Sequence, residues 1–344
     1  MIKLVRVDDQ AFAEMWNHLM VSGNHFDALY GEKNLAYYQE RCGKRNSRDL
    51  SFLLVDDLDP ICGLRVFSRA LESDGNEIAC FGLPILYAEK SHVDQLVLSN
   101  ARRIMRSSVR DLLKESQSNT IAFHKDRLAR GCLSPISRCL LDLGGQATPS
   151  ISQIIDLSLP KDDIFKGLTK AYKSAVKGGV ENLELKVIAA ASINSQDIEQ
   201  FRLLHAEAAG RETRTMESWN LQHQMVLAGE AFCVFAKLEG LLVSAALFPH
   251  SRSHCFYGVS ASRRDMFHKP LSHSVIWTAI LHAKKLVLRD FEMGEQLFPM
   301  IPRENPSEKE LGISFFKRAF GGEPRVSLDV TLKLDTKTMF PPTA

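Results

Sequence analysis

The sequence lacks the patterns that mark several classes of protein. It has no run of 18 apolar residues, so we expect no membrane-spanning helix. Its first ten residues lack the apolar stretch of a secretion signal, so we predict a cytoplasmic protein. The formal net charge is only +2, which gives no support for binding to DNA or to membranes in general. A local basic patch is still compatible with this balance.

Cysteine and metal-ligand patterns are also missing. The seven cysteines are odd in number and include no Cys-x-x-Cys pair, so the sequence predicts neither a disulfide framework nor a zinc ribbon. Reduced, mostly buried thiols are typical of a cytosolic protein with this usage. The aspartates do not follow the spacing of a calcium loop. We therefore predict that the protein holds no metal ion.

The chain is too long for one ordinary core. Its 344 residues suit two domains of about 150 to 170 residues each. With 45% hydrophobic and 24% charged residues, the composition is globular and excludes a disordered or fibrous class. The Gly-, Pro- and Ser-containing stretch at 144–150 predicts the linker. We expect domains at 1–150 and 151–335, followed by a flexible tail at 336–344.

The second half has the clearest order of elements. Two apolar runs, 232–237 and 241–248, are separated by a Glu-Gly turn, which predicts a tight β-hairpin. A third strand is predicted at 254–260. Pro270 then opens a helix whose apolar residues recur every three or four positions. A further strand at 288–293 stops at a glycine.

The C-terminal region predicts one more helix and one more strand. Ser307 and Glu310 have the spacing of a capping box, and Gly321 with Gly322 marks the helix end. Residues 325–334 alternate apolar and polar side chains, as a half-buried strand does.

The first half repeats this order of elements without clear residue identity. A hairpin is predicted at 51–67, a strand at 77–82, a long helix at 91–115 and a strand at 120–124. We therefore predict an α/β protein with mixed, mostly antiparallel sheets, in which one type of domain occurs twice in tandem.

An antiparallel meander followed by a helix and a strand resembles the GNAT acetyltransferase fold. In that family the helix after the meander receives the pyrophosphate of acetyl-CoA at its N-terminus, where unpaired N–H groups and the helix dipole favour an anion. The loop before this helix usually carries a Gln or Arg followed by Gly-x-Gly. Here the loop at 263–269 reads Arg-Arg-Asp-Met-Phe-His-Lys, and neither it nor the loop at 84–90 contains glycine.

Two such domains in tandem resemble the FemAB-like transferases. Four short motifs occur in the family's order: K-x-Y-K at 170–173, K-P-L-S at 269–272, F-x-x-G at 291–294 and I-x-x-F-K-x-x-F-G at 313–321. The last is the most specific, and the resemblance covers about 156–334. Members of the family transfer amino acids from tRNA to peptidoglycan precursors. Relatives belong to surface-polysaccharide pathways, where acylation of an amino sugar is the expected reaction.

The resemblance implies an N-acyltransferase. We expect it to form an amide on the amino group of a nucleotide- or lipid-linked amino sugar or amino acid, for cell-surface polysaccharide synthesis. Acyl-CoA or aminoacyl-tRNA would be the co-substrate, with no bound cofactor. Two alternatives stay open: a transferase of peptidoglycan type that uses tRNA as a partner, and a non-catalytic binding protein that kept the fold. The sequence leaves the oligomeric state open.

Four residues are predicted to carry the chemistry. Lys317 follows Phe316 in the last motif and is expected to stabilise an oxyanion or bind the donor's phosphate, because a lysine among aromatic residues is not a comfortable core residue. Glu292 and Glu295 bracket the glycine at a strand end, where a carboxylate could take the proton of the attacking amine. His205, in a predicted helix at 197–209, is the further candidate base, with a capping or core role as the alternative.

The predicted substrate-binding set is basic and aromatic. Arg211 and Arg214 follow a helix in a short loop and can clamp a phosphate or carboxylate through paired N–H donors, or else are surface charges. Lysines at 166, 170, 173 and 177 would form either a phosphate-attracting rim or a plain solvated face on a helix at 163–177. The other predicted members of the set are Lys173, Trp219, Tyr257, Lys269 and His273.

The first testable prediction follows from the missing metal ligands. Dialysis against a chelator should leave the transferase activity unchanged, because no step is expected to use a metal ion. Product formation is measured before and after dialysis, with a mock-dialysed sample as control. Loss of activity that returned when a divalent cation was added would contradict the prediction.

Overall fold

The chain forms two compact units. A computed structural model of the protein describes residues 1–23, 27–42, 47–72, 75–116, 119–128, 131–266, 268–299 and 306–334. The first unit comprises the described residues within Met1–Phe26, Cys42–Ser150 and Val326–Ala344. The second comprises those within Asp27–Arg41 and Ile151–Arg325. The predicted tail at 336–344 lies outside the described residues.

The first unit is built on a meander of antiparallel strands and a long helix. Its elements are β1 (Ile2–Arg6), α1 (Phe12–Ser22), β2 (Arg48–Asp49), β3 (Phe52–Asp56), β4 (Asp59–Arg65), β5 (Phe67–Leu71), β6 (Gly75–Ala79), β7 (Leu86–Glu89), α3 (Gln95–Lys114), β8 (Thr120–Asp126) and α4 (Pro135–Asp142). One sheet has the order β1-β3-β4-β7, antiparallel throughout. The apolar stripe of α3 packs into the core that this sheet and α4 share.

The second unit holds the remaining helices and most of the remaining strands. Its elements are α2 (Glu32–Arg41), α5 (Lys161–Gly167), α6 (Lys170–Asn182), β10 (Glu184–Ile188), α7 (Ser195–Ala209), α8 (Met216–Leu227), β11 (Ala231–Leu238), β12 (Leu241–Pro249), β13 (His254–Phe256), β14 (Ser260–Ser262), α9 (Leu271–Lys285), β15 (Asp290–Glu295) and α10 (Glu308–Arg318). Two of the four unit boundaries fall within the two remaining strands, β9 (Gln146–Asp156) and β16 (Glu323–Leu334).

The two units repeat one order of strands. The second unit has an antiparallel sheet in the order β10-β11-β12-β14, which corresponds to β1-β3-β4-β7 in the first. In each unit a long helix follows the last strand of the sheet, and a strand follows that helix: α3 and β8 in one, α9 and β15 in the other. The predicted tandem α/β fold with mostly antiparallel sheets is therefore confirmed.

The domains were predicted at 1–150 and 151–335. Two segments belong to a different unit from the one that these bounds give them. Residues 27–41 belong to the second unit because α2 packs against α8 and the carboxylate of Glu230 accepts the backbone N–H groups of Lys33 and Asn34. The end of β16 belongs to the first unit because it pairs antiparallel with β8. Both placements depend on contacts between residues far apart in sequence. The periodicity of apolar residues within one segment does not predict such contacts.

Local turn and cap signals agree with the structure. In the hairpin between β11 and β12, Glu239 and Gly240 both have positive φ, 52° and 80°. Ser307 and Glu310 form the predicted capping box at the start of α10. No helix among the described residues is both long and apolar enough to cross a bilayer.

The structure divides three predicted elements differently, and it continues the strand predicted at 288–293 through Gly294 to Glu295. The strand at 254–260 is two strands in different sheets, since β13 pairs with β15 whereas β14 pairs with β12. The loop at 84–90 contains β7. The helix at 163–177 is broken into α5 and α6, because Leu168 and Thr169 are extended and the Thr169 N–H donates to Ala319 O at 3.1 Å. Lys166 therefore lies on a different helix from the other three lysines and pairs with Asp163.

The packing of α6 on α9 generates a stability prediction. A Cβ at Gly179 would stand 2.6 Å from Ser274 Oγ and 2.7 Å from Ser274 Cβ, whereas a Cβ at the adjacent Gly178 would meet nothing within 4 Å. Gly179→Ala should therefore lower the free energy of unfolding by about 1–3 kcal/mol, as overpacked sites do. Gly178→Ala, the matched control, should raise it by about 0.5–1 kcal/mol through helix propensity. Urea unfolding of both variants is the measurement, and equal effects would contradict the close approach.

Candidate active site

Lys317 lies in the last turn of α10 with its side chain over β15. Its Nζ donates a hydrogen bond to the carbonyl oxygen of Glu295 at 3.3 Å. A Cβ at Gly294 would stand 2.9 Å from Nζ, so the ammonium occupies space that only glycine leaves open. Gly294 also has φ +96°, which favours glycine. Burial lowers the pKa of Lys317, and the carboxylates of Glu295 and Glu292 oppose that shift.

The structure brings three of the four predicted catalytic residues to one end of β15. Glu292 and Glu295 both act electrostatically on Lys317, but they differ in exposure. The Glu292 side chain is only 12% exposed, and its Oε2 lies 3.0 Å from Nε2 of His254. Glu295 is exposed. Among the two carboxylates, Glu292 is therefore the one that a neighbouring side chain holds in place.

A group of aromatic rings adjoins Lys317. Tyr172 of α6, His273 of α9, Phe316 of α10 and Phe320, two residues beyond α10, have ring centroids 4.4–5.9 Å apart. Burial lowers the pKa of His273, so this ring favours its neutral form. The group joins the starts of α6 and α9 to the end of α10. Lys173, the next residue after Tyr172, is half-buried at the same end of α6.

His273 also lines a cavity of about 350 Å³ at the start of α9. Tyr257 and Lys269 line it too, so three predicted substrate-binding residues share one space; the other lining residues are Ala208, Ser260, Ala261, Ser262, Leu271 and Ser272. Pro270 precedes the helix, and no side chain caps its first turn. A lysine and serine hydroxyls beside an uncapped helix start can receive an anionic group.

His205, Arg214 and Trp219 form a second cluster within the same unit. Arg214 Nη1 lies 2.7 Å from His205 Nε2, its Nε donates to Tyr37 Oη at 3.1 Å, and its Cζ lies 5.8 Å from the Trp219 ring centroid. Burial, with Arg214 and Arg41 nearby, lowers the pKa of His205 to about 4. His205 is therefore neutral at pH 7 and accepts a hydrogen bond from the guanidinium.

Two cations of this cluster have no acidic partner within the described part of the chain. Arg41 Nη1 lies 3.5 Å from Tyr37 Oη, and neither Arg41 nor Arg214 makes an ion pair with a described carboxylate. Glu212, two residues before Arg214, pairs instead with Arg202. Arg211 is exposed, and no contact joins it to the cluster among the residues that the structure describes. Of the two predicted arginines, Arg214 is therefore the one that belongs to this cluster.

Sequence reasoning missed His254, Tyr37 and Arg41. His254 and Tyr37 contact predicted residues across 38 and 177 positions of sequence. The alternation of side chains along a strand could have assigned His254 to one face of its sheet, but no local pattern indicates its contact with Glu292. No group of His, Cys, Asp and Glu side chains that could hold a metal occurs among the residues described.

The sequence matches no protein-family model and no curated protein. Solved structures share its fold over nearly its whole length. FemX is 12% identical with a TM-score of 0.70, and the alignment covers 98% of both chains. A tandem GNAT protein from the clavulanic acid biosynthesis pathway is 14% identical with a TM-score of 0.54, covering 97% of this chain and 98% of that one.

A third match extends this set. The C-terminal domain of a putative lysylphosphatidylglycerol synthetase from Agrobacterium fabrum is 9% identical with a TM-score of 0.57, covering 92% of this chain and 90% of that one. At these identities the likeness concerns the fold. The chain has the tandem GNAT architecture that the FemAB-like motifs predicted.

The cluster around Arg214 generates a prediction that needs no substrate. Arg214→Leu should raise the pKa of His205 above about 4, because one of the positive charges that lower it is removed. The pKa should stay below the usual histidine value of about 6.5, since burial remains. Titration of the imidazole Cε1–H by NMR is the measurement, with Arg211→Leu as the exposed control. An unchanged pKa in Arg214→Leu would rule out the contact.

Proposed function

From the tandem GNAT fold it shares with FemX, we propose that this protein is an N-acyltransferase. It transfers an acyl group to the amino group of a nucleotide- or lipid-linked amino sugar or amino acid, in the cytoplasm, for synthesis of a cell-surface polysaccharide. The observation that carries the proposal is the half-buried ammonium of Lys317, which feels the carboxylate of Glu292 and lies next to an aromatic group that reaches a cavity.

The chemistry needs a cation and a base side by side. The amine attacks the acyl carbonyl, a C–N bond forms, and negative charge develops on the carbonyl oxygen. The ammonium of Lys317 stabilises that oxyanion, and its low-polarity surroundings strengthen the attraction. Glu292 takes the proton that the attacking nitrogen must lose. The bond from the carbonyl carbon to the donor's sulfur or oxygen then breaks, and the leaving group takes up a proton.

The cavity at the start of α9 is the proposed site of the acyl donor. Lys269 supplies a positive charge there, and Tyr257 and His273 supply ring surface. The donor is acyl-CoA or aminoacyl-tRNA, both of which carry phosphate groups. Lys170 and Lys173 at the start of α6 would extend the positive charge from this site toward a longer donor.

The cluster around Arg214 is the proposed site of the acceptor's anionic group. Arg214 and Arg41 converge on Tyr37, and Trp219 offers a flat face beside them. Two guanidinium groups can bind a diphosphate or a carboxylate through paired donors. His205 is assigned to this binding cluster rather than to proton transfer, because its neutral ring accepts from Arg214.

The loop before α9 favours a second candidate as well. Residues 263–269 contain no glycine, and Arg263 of this loop pairs with Glu207 and Asp265. Without glycine, the backbone of this loop is less able to approach a pyrophosphate closely. Such a loop suits an aminoacyl-tRNA donor, or a protein that binds the acceptor without catalysing a reaction. A peptidoglycan-type transferase and a non-catalytic binding protein are therefore the alternatives to an acyl-CoA enzyme.

One experiment separates the three candidates. The protein is incubated with UDP-glucosamine, a nucleotide-linked amine, together with either acetyl-CoA or charged tRNA, and the sugar product is identified by intact mass. A gain of one acetyl group identifies an acyl-CoA enzyme, and a gain of an amino acid identifies a tRNA-dependent one. Calorimetric binding of UDP-glucosamine without product in either mixture would indicate a binding protein and would contradict the proposed activity.

The role of Lys317 is tested by a charge-removing substitution. Lys317→Met keeps the bulk of the side chain, and kcat should fall about 100-fold or more, as for loss of one oxyanion donor, with the acceptor KM little changed. Lys309→Met, in the exposed first turn of the same helix, is the matched control and should leave kcat unchanged. Circular dichroism and thermal unfolding verify that both variants fold. A folded Lys317→Met variant with normal kcat would place the oxyanion site elsewhere.

A further inference from the structure

His254 is a buried histidine at the start of β13, and both of its ring nitrogens have partners. Only 1% of its surface is exposed. The backbone N–H of Ala28 donates to Nδ1 at 3.1 Å, and Nε2 lies 3.0 Å from Oε2 of Glu292. β13 pairs parallel with β15, and the register sets His254 opposite Asp290, two residues before Glu292.

These partners fix the position of the ring proton. A backbone N–H can only donate, so Nδ1 must be unprotonated in order to accept from Ala28. A neutral imidazole then carries its proton on Nε2, where it donates to the carboxylate of Glu292. The carboxylate of Asp27 lies farther from Nδ1, at 3.7 Å, and accepts the N–H of Leu29 at 3.0 Å.

We propose that His254 is a positioning residue that orients the carboxylate of Glu292 for proton transfer from the attacking amine. This inference rests on the proposed acyl transfer and on Glu292 as its base. His254 touches neither substrate in the proposal; it acts through Glu292. A neutral donor suits this role because it fixes the carboxylate without adding a full positive charge, which would weaken its affinity for a proton.

The donor to His254 is itself held in place. Ala28 begins a 3₁₀ turn at Ala28–Tyr30, which the side chain of Asp27 caps. Beyond the turn, the Glu230 carboxylate accepts the N–H groups of Lys33 and Asn34 and lies where a Cβ of Gly31 would be. Segment 27–41 therefore supplies an anchored N–H group, and the order of contacts runs from Ala28 through His254 to Glu292.

Two substitutions test the contacts of the two ring nitrogens of His254 separately. In His254→Gln the amide nitrogen takes the place of Nε2 and can still donate to Glu292, while the contact with Ala28 is lost. In His254→Asn the amide oxygen takes the place of Nδ1 and can still accept from Ala28, but the side chain is too short to reach Glu292. A purely structural role would make the two variants similar, since each loses one hydrogen bond.

The expected result is a difference in kcat. With acetyl-CoA and UDP-glucosamine, His254→Asn should lower kcat about 10- to 100-fold with little change in KM, because Glu292 is no longer oriented. His254→Gln should keep kcat within about threefold of the unsubstituted protein. Equal losses in both variants, or no loss in His254→Asn, overturn the positioning role. Lys317→Met in the same assay is the separate check, because normal turnover there means that the proposed acyl-transfer site has failed instead.

A second measurement does not depend on any substrate. In full-length protein labelled with ¹⁵N-histidine, long-range ¹H–¹⁵N spectra should show His254 protonated on Nε2 alone at neutral pH, with the resonance assigned by its absence in His254→Gln. Protonation on Nδ1, or on both nitrogens, would overturn the proposal even in a protein with no measurable turnover.

Discussion

The ammonium of Lys317 beside β15 is the feature on which the site depends. Removing a charge from water costs several kcal/mol unless partners compensate for the lost solvation. Here the carbonyl oxygen of Glu295 accepts a hydrogen bond, and the carboxylates of Glu292 and Glu295 supply opposite charge. The compensation is partial, since burial still lowers the pKa of Lys317. Because these contacts hold the ammonium in one position, it is already in place to stabilise negative charge that develops next to it.

Glycines make the position of this lysine geometrically feasible. Gly294 leaves room for Nζ over the strand, and Gly321, with φ +82°, would place a Cβ 2.8 Å from the backbone of Gly167. The N–H of Thr169 donates to Ala319 O, and the side-chain amide of Gln153 donates to Gly321 O at 2.7 Å. The segment after α10 is thus held by a backbone contact to the α5–α6 junction and by a side chain of β9, which keeps Lys317 beside β15.

The first unit shows how the same order of elements can lack this arrangement. Its strand β8 occupies the place in the order that β15 has in the second unit. Two polar side chains of β8 have partners within the unit: His124 Nδ1 lies 2.6 Å from Ile85 O, His124 Nε2 lies 3.1 Å from Ser134 Oγ, and Asp126 accepts the N–H groups of Leu128 and Ser134. These contacts cap α4 and its preceding loop. The polar groups of this strand therefore stabilise the unit, whereas Glu292 and Glu295 of β15 act on a lysine.

The sequence determined those features that arise from neighbours along the chain. Periodicity, the Glu239-Gly240 turn and the Ser307 capping box predicted α9, the β11–β12 hairpin and α10, because each depends on contacts within a few residues. The short motifs named Lys317 and Glu292 as candidates, and the structure brings both residues to β15. Only the tertiary structure decided that α2 joins the second unit, that β13 and β14 separate into different sheets, and that Ala28 contacts His254. These three features depend on hydrogen bonds and packing between residues up to 226 positions apart. A pattern within a short stretch of sequence cannot predict such contacts.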